Sequence, residues 1–266
     1  MAGLILLGLF IGTLGTLIGV GGGFILMPVL IFLYPDQNPE FLTSISLAVV
    51  FFNSLSGSFA YARMGKIDYK SSLLFSMTTV PGAILGAFTT AYIPRRLFNI
   101  VFGVLMILAS VFLAFNREKK AGKGPPAGKT IFRQIIDRDG NNYNYSFNPA
   151  LGMQFGFFVG YLSSLLGIGG GIIHVPLLIY CLNFPVHIAT ATSHFILVIV
   201  ALTGTIVHIA RGAFVHGAQM TAAISLGVVI GAQLGAGLSR RVQGKWIVLC
   251  LAMALAMVGL RIIFTK

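Results

Sequence analysis

Charge is the scarcest resource in this sequence: 9% of the 266 residues are Asp, Glu, Lys or Arg, and only six are acidic. Those six (Asp36, Glu40, Asp68, Glu118, Asp137 and Asp139) fall between apolar runs, and none follows residue 139. No Lys or Arg falls in the middle of a run. A charged side chain inside a bilayer is costly and is kept for function, so the missing acids exclude a cation carrier or a carboxylate proton relay. His-Glu-x-x-His is absent, and the Gly-rich runs lack the Lys-Ser/Thr of a phosphate loop. No paired-carboxylate or Cys/His pattern occurs either, so neither an enzyme nor a cofactor is expected. The two cysteines, Cys181 and Cys250, have no metal-ligand spacing and read as inert packing thiols.

What is abundant is apolar. At 56% hydrophobic residues and a mean hydropathy of +0.92, no soluble domain of this size could hide its apolar surface. The class is an all-α, multi-pass protein of the cell membrane. The N-terminus has no basic n-region or cleavage site and runs straight into a Gly-rich stretch, so it reads as mature structure. A net charge of +12 is common in nucleic-acid binders, but here the basic residues sit in short loops. The positive-inside rule accounts for them, with the lipid bilayer and its anionic head groups as partner and no nucleic acid.

Apolar segments run near 2–34, 41–62, 71–91 and 97–115, then 149–183, 188–209, 218–238 and 246–264. The second set copies the first. Ser56-Gly57-Ser58 matches Thr203-Gly204-Thr205, Gly65 matches Gly212, and Gly82-Ala83 matches Gly231-Ala232, all at offsets of 147 to 149 residues. The chain therefore divides into a first membrane repeat (1–115), a polar basic linker (116–148) and a second repeat (149–266), each repeat with four to five hydrophobic helices. The linker carries seven cations (Arg117, Lys119, Lys120, Lys123, Lys129, Arg133 and Arg138) and a Gly124-Pro125-Pro126 breaker. Its stretch from Asp137 to Asn142 resembles the start of a calcium loop but lacks the closing Glu, which leaves a tight turn.

Each repeat opens with a segment of about 33 residues, roughly 50 Å as a helix against a hydrocarbon core of roughly 30 Å. Either the chain doubles back as a hairpin, which makes the repeats inverted, or it crosses once as a broken span, which makes them parallel. Loop charge does not choose: both arrangements put thirteen of the eighteen cations on one side, including Arg63, Lys66, Lys70 and the linker, and differ in whether Arg240, Arg241 and Lys245 or Arg211, Arg261 and Lys266 join them. Both make the linker cytoplasmic. Segment length favours inversion.

In the middle of each long opening segment lies a glycine run: Gly19-Val20-Gly21-Gly22-Gly23 with Pro28, and Gly167-Ile168-Gly169-Gly170-Gly171 with Pro176. Four glycines in five residues break a helix, and paired breaks in corresponding halves point to a transporter's binding site. Past each run a short helix begins whose first N–H groups lack helical partners and attract anions. The candidate binding groups are the amides of Gly21, Gly22, Gly23, Gly169, Gly170 and Gly171. A hydroxyl cluster follows in each half (Thr43, Ser44 and Ser46; Thr190, Thr192 and Ser193), and Ser46, Thr192, Ser193, His194 and Asn53 are the side-chain candidates. Gln233 is a further neutral candidate. Of the second-half histidines His174, His194 and His208, His194 beside Ser193 is singled out, while His187 and His216 read as loop residues. Mid-helix hydroxyls also bond back to their own carbonyls, and a glycine pair also serves close helix packing, so each group has a structural alternative.

The doubled Gly-x-Gly-Gly-Gly-x4-Pro motif with its Thr/Ser cluster resembles the TauE/SafE family of sulfite-exporter-like permeases, over about 230 residues of both halves. The resemblance implies a cofactor-free, multi-spanning permease for a small sulfur-containing anion such as sulfite, sulfoacetate or another organosulfonate. The residues alone would equally suit a carboxylate or phosphate, a permease for a non-sulfur anion, or a sensor or assembly scaffold whose glycines serve packing. Homo-oligomerisation is left open.

Because no acid lies within a span, sodium, potassium and divalent metals are expected not to be the main substrate. Ion uptake into proteoliposomes checks this, and robust uptake of such a cation without an accompanying anion would overturn it.

Overall fold

The computed structural model describes residues 1–115, 130–213 and 217–239 and, towards the C-terminus, residues 249, 252, 253, 256, 257, 259, 260 and 262. The linker cations from Arg117 to Lys129, the Gly124-Pro125-Pro126 breaker, His216, Arg240, Arg241, Lys245, Cys250, Arg261 and Lys266 lie outside the described residues.

The first half comprises α1 (Ala2–Ile18), α2 (Gly23–Leu33), α3 (Pro39–Met64), α4 (Tyr69–Thr90) and α5 (Arg95–Phe115). Strands β1 (Ile131–Ile136) and β2 (Asn142–Phe147) follow, then α6 (Pro149–Leu166), α7 (Gly171–Pro176) continuing as a π-helical turn (Leu177–Cys181), α8 (Val186–Ala210) and α9 (Ala218–Ser239). Among the described residues five helices, α3, α4, α6, α8 and α9, are long and apolar enough to cross a membrane. The protein is a multi-pass, all-α membrane protein with one small sheet. The helix starts follow local chemistry. Asn38, Asp68 and Asn148 cap α3, α4 and α6 through side-chain acceptors, with proline in the first turn of α3 and α6. Glu40 sits in the first turn of α3 rather than before it, still at the helix end.

Part of the linker is ordered in a way its composition hides. β1 and β2 form an antiparallel hairpin, Ile131 opposite Phe147 and Ile136 opposite Asn142. Residues 137–141 make the turn expected there, closed by Gly140 N–H to Asp137 O at 3.1 Å. The hairpin docks through Tyr145 and Phe147, whose rings pack on Phe184, with Phe75 against Phe147.

The helices pack in a crossed pattern. α1 runs parallel to α9, and α4 runs parallel to α6, so the first helix of each half lies on the fourth of the other. Glycines permit it. A Cβ on Gly8 or Gly12 would strike the backbone of Ile224 or Val228, and one on Gly82 or Gly86 that of Phe157 or Tyr161. The matched helices α3 and α8 cross antiparallel at the centre, with Thr43 beside His208, Leu47 beside Gly204, and Gly57 beside His194.

One contrast on a single helix tests this packing. Gly227 faces the backbone of Ile5, whereas Gly237 has nothing within 4 Å. Gly227→Val is expected to lower thermal stability in detergent by about 1–3 kcal/mol through overpacking. Gly237→Ala should leave it unchanged or raise it by up to about 1 kcal/mol through helix propensity.

Candidate functional site

The two glycine runs fold alike. Gly19, Gly21 and Gly22 all have positive φ, between 78° and 89°, and so do Gly167, Gly169 and Gly170, between 68° and 83°. A side chain at these positions would be strained whatever the space around it. In each run the chain doubles back on the helix it has left. A Cβ on Gly22 would meet Ile11 at 2.6 Å, and one on Gly170 would meet Ser163 at 2.9 Å and Val159 at 3.5 Å. A continuous helix would hold residues 11 and 22 about 16 Å apart. The chain therefore reverses at each break instead of carrying the helix straight on.

The two breaks touch one another. A Cβ on Gly23 would lie 2.6 Å from Ile168 O, and one on Gly171 would lie 2.5 Å from Val20 Cα and 2.8 Å from Gly19 O. Val50 and Leu197, near the midpoints of α3 and α8, both pack against Gly21 and Gly169. The breaks thus meet level with the centres of the two central helices.

Serines hold this crossing. Ser46 Oγ donates to Gly167 O at 2.5 Å, and Ser193 Oγ donates to Gly19 O at 3.2 Å. Each half supplies the hydroxyl that caps the other half's break. Thr43 and Thr190 instead bond back to carbonyls of their own helices. Thr192 is turned away from the break and accepts from the Asp68 amide at 3.2 Å. Gln233 lies on the exposed outer surface, bonded to Ser56, far from a site role.

The amides divide. Gly21 N–H is taken by Gly15 O at 3.2 Å. Among the described residues, no hydrogen bond takes up the N–H of Gly22, Gly23, Phe24, Gly170, Gly171 or Ile172, all of them buried. Beside the first break lies a buried polar cluster. His194 Nε2 is 3.3 Å from Thr16 Oγ1, Thr16 Oγ1 is 3.3 Å from Asn53 Oδ1, and Tyr61 OH donates to Thr16 O at 2.8 Å. Tyr61 also meets the His194 ring edge-on at 5.5 Å. Asn53 Nδ2 and Ser54 Oγ are wholly buried and have no partner, and Ser54 Oγ lies 3.0 Å from where a Gly21 Cβ would be. Ser163 has an unpartnered hydroxyl beside Gly170 of the second break, and that of Ser164, also unpartnered, faces Gly204 of α8.

The structure brings Gly21, Gly23, Gly169 and Gly171 to one crossing, backs Gly22 and Gly170 against the helices that precede them, sets Asn53 and His194 in the polar cluster around Thr16, gives Ser46 and Ser193 to backbone carbonyls, and sends Thr192 elsewhere. Sequence reasoning missed Thr16, Ser54, Ser163 and Ser164. The available signal was a hydroxyl inside an apolar run within a few residues of a glycine break. A cavity of ≈ 680 Å³ beside α7 is lined by apolar groups such as Leu105, Phe155, Ile172 and Leu177 and suits an acyl chain rather than an anion. Among the described residues no cluster could hold a metal ion.

A family model described as Sulfite exporter TauE/SafE matches residues 4–262. The chain is 36% identical to the probable membrane transporter protein YunE of Bacillus subtilis, across 98% of this chain and 96% of that protein. It is 26% identical to the probable membrane transporter protein MJ0441 of Methanocaldococcus jannaschii, across 97% and 93%. No solved structure matches the chain.

If Ser46 and Ser193 hold the crossing, replacing either by Ala leaves a buried carbonyl unpaired. The expected cost is about 1–3 kcal/mol of stability in the absence of any anion, read as a lowered melting temperature. Unchanged melting in both variants would mean that the carbonyls find other partners.

Proposed function

The chain belongs to the sulfite exporter TauE/SafE family of membrane transporters, and from that premise we propose that its cargo is a small sulfur-containing oxyanion held where the two glycine breaks meet. The observation that carries this reading is the set of buried, unpartnered donors at one crossing. These are the amides of Gly22, Gly23, Gly170 and Gly171, with Ser54 Oγ against Gly21 and Asn53 Nδ2 in the neighbouring Thr16 cluster. His194 and Thr16 lie within reach of that cluster.

A desolvated oxyanion must replace its hydration with charge-assisted hydrogen bonds, each worth roughly 1.5–3 kcal/mol. Sulfite and sulfonates present several oxygens to converging donors. A site without a full positive charge binds loosely enough to release its cargo, as a permease requires. Ser46 and Ser193 support the proposed site from a distance by fixing the breaks, while Thr192, bonded to the Asp68 amide, takes no direct part. The reversals at the breaks and the antiparallel crossing of α3 and α8 support inverted halves. Such halves give alternating access by rocking one against the other around the fixed site.

Flux into proteoliposomes against sulfite, sulfoacetate, phosphate and acetate tests the proposal. Sulfite or the organosulfonate is expected to move fastest. Gly22→Leu or Gly170→Leu, in protein shown to be folded and inserted, should abolish binding by blocking backbone approach. Preferential movement of phosphate or acetate would point to a non-sulfur anion. Unchanged affinity in both glycine variants would move the site elsewhere.

A further inference from the structure

The hairpin of the linker brings two cations into a buried seam with the loop between α3 and α4. Lys66 Nζ lies 3.7 Å from Asp137 Oδ2, and Arg133 Nε lies 3.6 Å from Asp68 Oδ2. The pairs are crossed, since Lys66 and Asp68 belong to the loop and Arg133 and Asp137 to the hairpin. Met64 O accepts from Arg138 N at 3.1 Å along the same seam.

Both carboxylates already have hydrogen bonds without the cations. Asp68 accepts from Ser71 N at 3.0 Å, Ser71 Oγ at 2.5 Å and Tyr145 OH at 2.7 Å. Asp137 accepts from Asn141 N at 2.9 Å and Asn141 Nδ2 at 3.0 Å. Burial works against its charge, yet the Asn141 hydrogen bonds and the Lys66 ammonium together hold the Asp137 carboxyl below its usual range. Neither pair reaches the 2.7–2.9 Å typical of a charge-assisted hydrogen bond, and the buried Arg133 Nε, ion-paired with Asp68, makes no hydrogen bond. The seam is balanced in charge, two cations against two carboxylates, with one donor, Arg133 Nε, left without a hydrogen bond. Lys66 is 6% exposed, and a cation so buried retains a counter-anion whatever its source.

We propose that Lys66, with Arg133, is a second anion site at the linker-side mouth of the transporter, and that Asp137 is the tethered carboxylate occupying it in this conformation. The proposal rests on the anion-transport reading above and extends it to the route by which cargo reaches the crossing. Displacing the hairpin takes Asp137 off Lys66 and leaves the ammonium to a small oxyanion. Arg63, Lys66, Lys70, Arg133 and Arg138 outnumber Asp68, Asp137 and Asp139 on these two segments, which draws anions to the mouth. The seam is also wired to the breaks. The Asp68 amide donates to Thr192, whose neighbour Ser193 caps Gly19 O. A hairpin that lifts takes Arg133 and Tyr145 off the Asp68 carboxylate, and Asp68 is the residue whose amide meets Thr192.

The test uses full-length protein with sulfite as probe and chloride as reference, by calorimetry in detergent. Asp137→Asn is expected to bind sulfite about tenfold more tightly than the native chain. Adding Lys66→Met should erase the gain, while adding Lys70→Met, of equal charge, should keep it. An unchanged affinity, or a gain that survives Lys66→Met, overturns the site. A second arm needs no loss of charge at Lys66. In a Cys181→Ser, Cys250→Ser background, Met64→Cys with Arg138→Cys locks the hairpin by a disulfide. Sulfite flux should fall on oxidation and return on reduction, and undiminished flux in the locked protein makes the hairpin a static cover. A Lys66-dependent binding gain in a protein that moves no anion would sink the transport reading and leave this site standing. Flux without the gain would do the reverse.

Discussion

A chain that leaves its helix inside a bilayer must satisfy the freed backbone without water. Here each break is completed by the other half. The carbonyls of Gly167 and Gly19 accept from Ser46 and Ser193, and the backbones touch at Gly23 against Ile168 and Gly171 against Val20. The serine that caps each break sits on the central helix of the opposite half. Much of the rest serves this contact. α3 and α8 cross antiparallel to place the serines, and the glycine-lined pairs α1 with α9 and α4 with α6 bring the halves close enough to reach.

The two breaks are alike in backbone and their surroundings unlike in chemistry. His194 stands where the first half has Leu47, and Asn53 stands where the second half has Val200. The polar cluster of Thr16, Asn53, Tyr61 and His194 therefore builds up on one side of the crossing, while the other side has the serines of α6. On the transport reading, this asymmetry gives the anion a preferred side of a nearly symmetric cradle. The unpartnered donors on both sides are the groups that would pass it across.

The features visible in the sequence are those that depend on composition and repetition. Apolar runs gave the membrane class, four glycines in five residues gave the breaks, and an offset of 147 to 149 residues tied the halves together. Segment length favoured a chain that doubles back, and Gly22 does lie against Ile11. What could not be read depends on tertiary partners. Ser46, Thr192 and Thr190 look alike in a sequence, yet one bonds across the halves, one meets a loop amide and one bonds its own helix. Gln233 looked like an interior donor because nothing local says which face of α9 looks outward. The β-hairpin was hidden in a basic linker, since six-residue strands such as Ile131–Ile136 carry little periodic signal and its docking surface, Phe184 and Phe75, lies far along the chain.

The central claim is that the meeting point of the breaks is an anion site built from backbone amides. Selenite carries the oxygens of sulfite and scatters anomalously, so a structure determined with selenite locates the anion directly. The account expects a selenium peak within hydrogen-bonding reach of the amides of Gly22, Gly23, Gly170 or Gly171, beside Asn53 and Ser54. A fully occupied peak elsewhere in the membrane region, with the crossing empty, would contradict it.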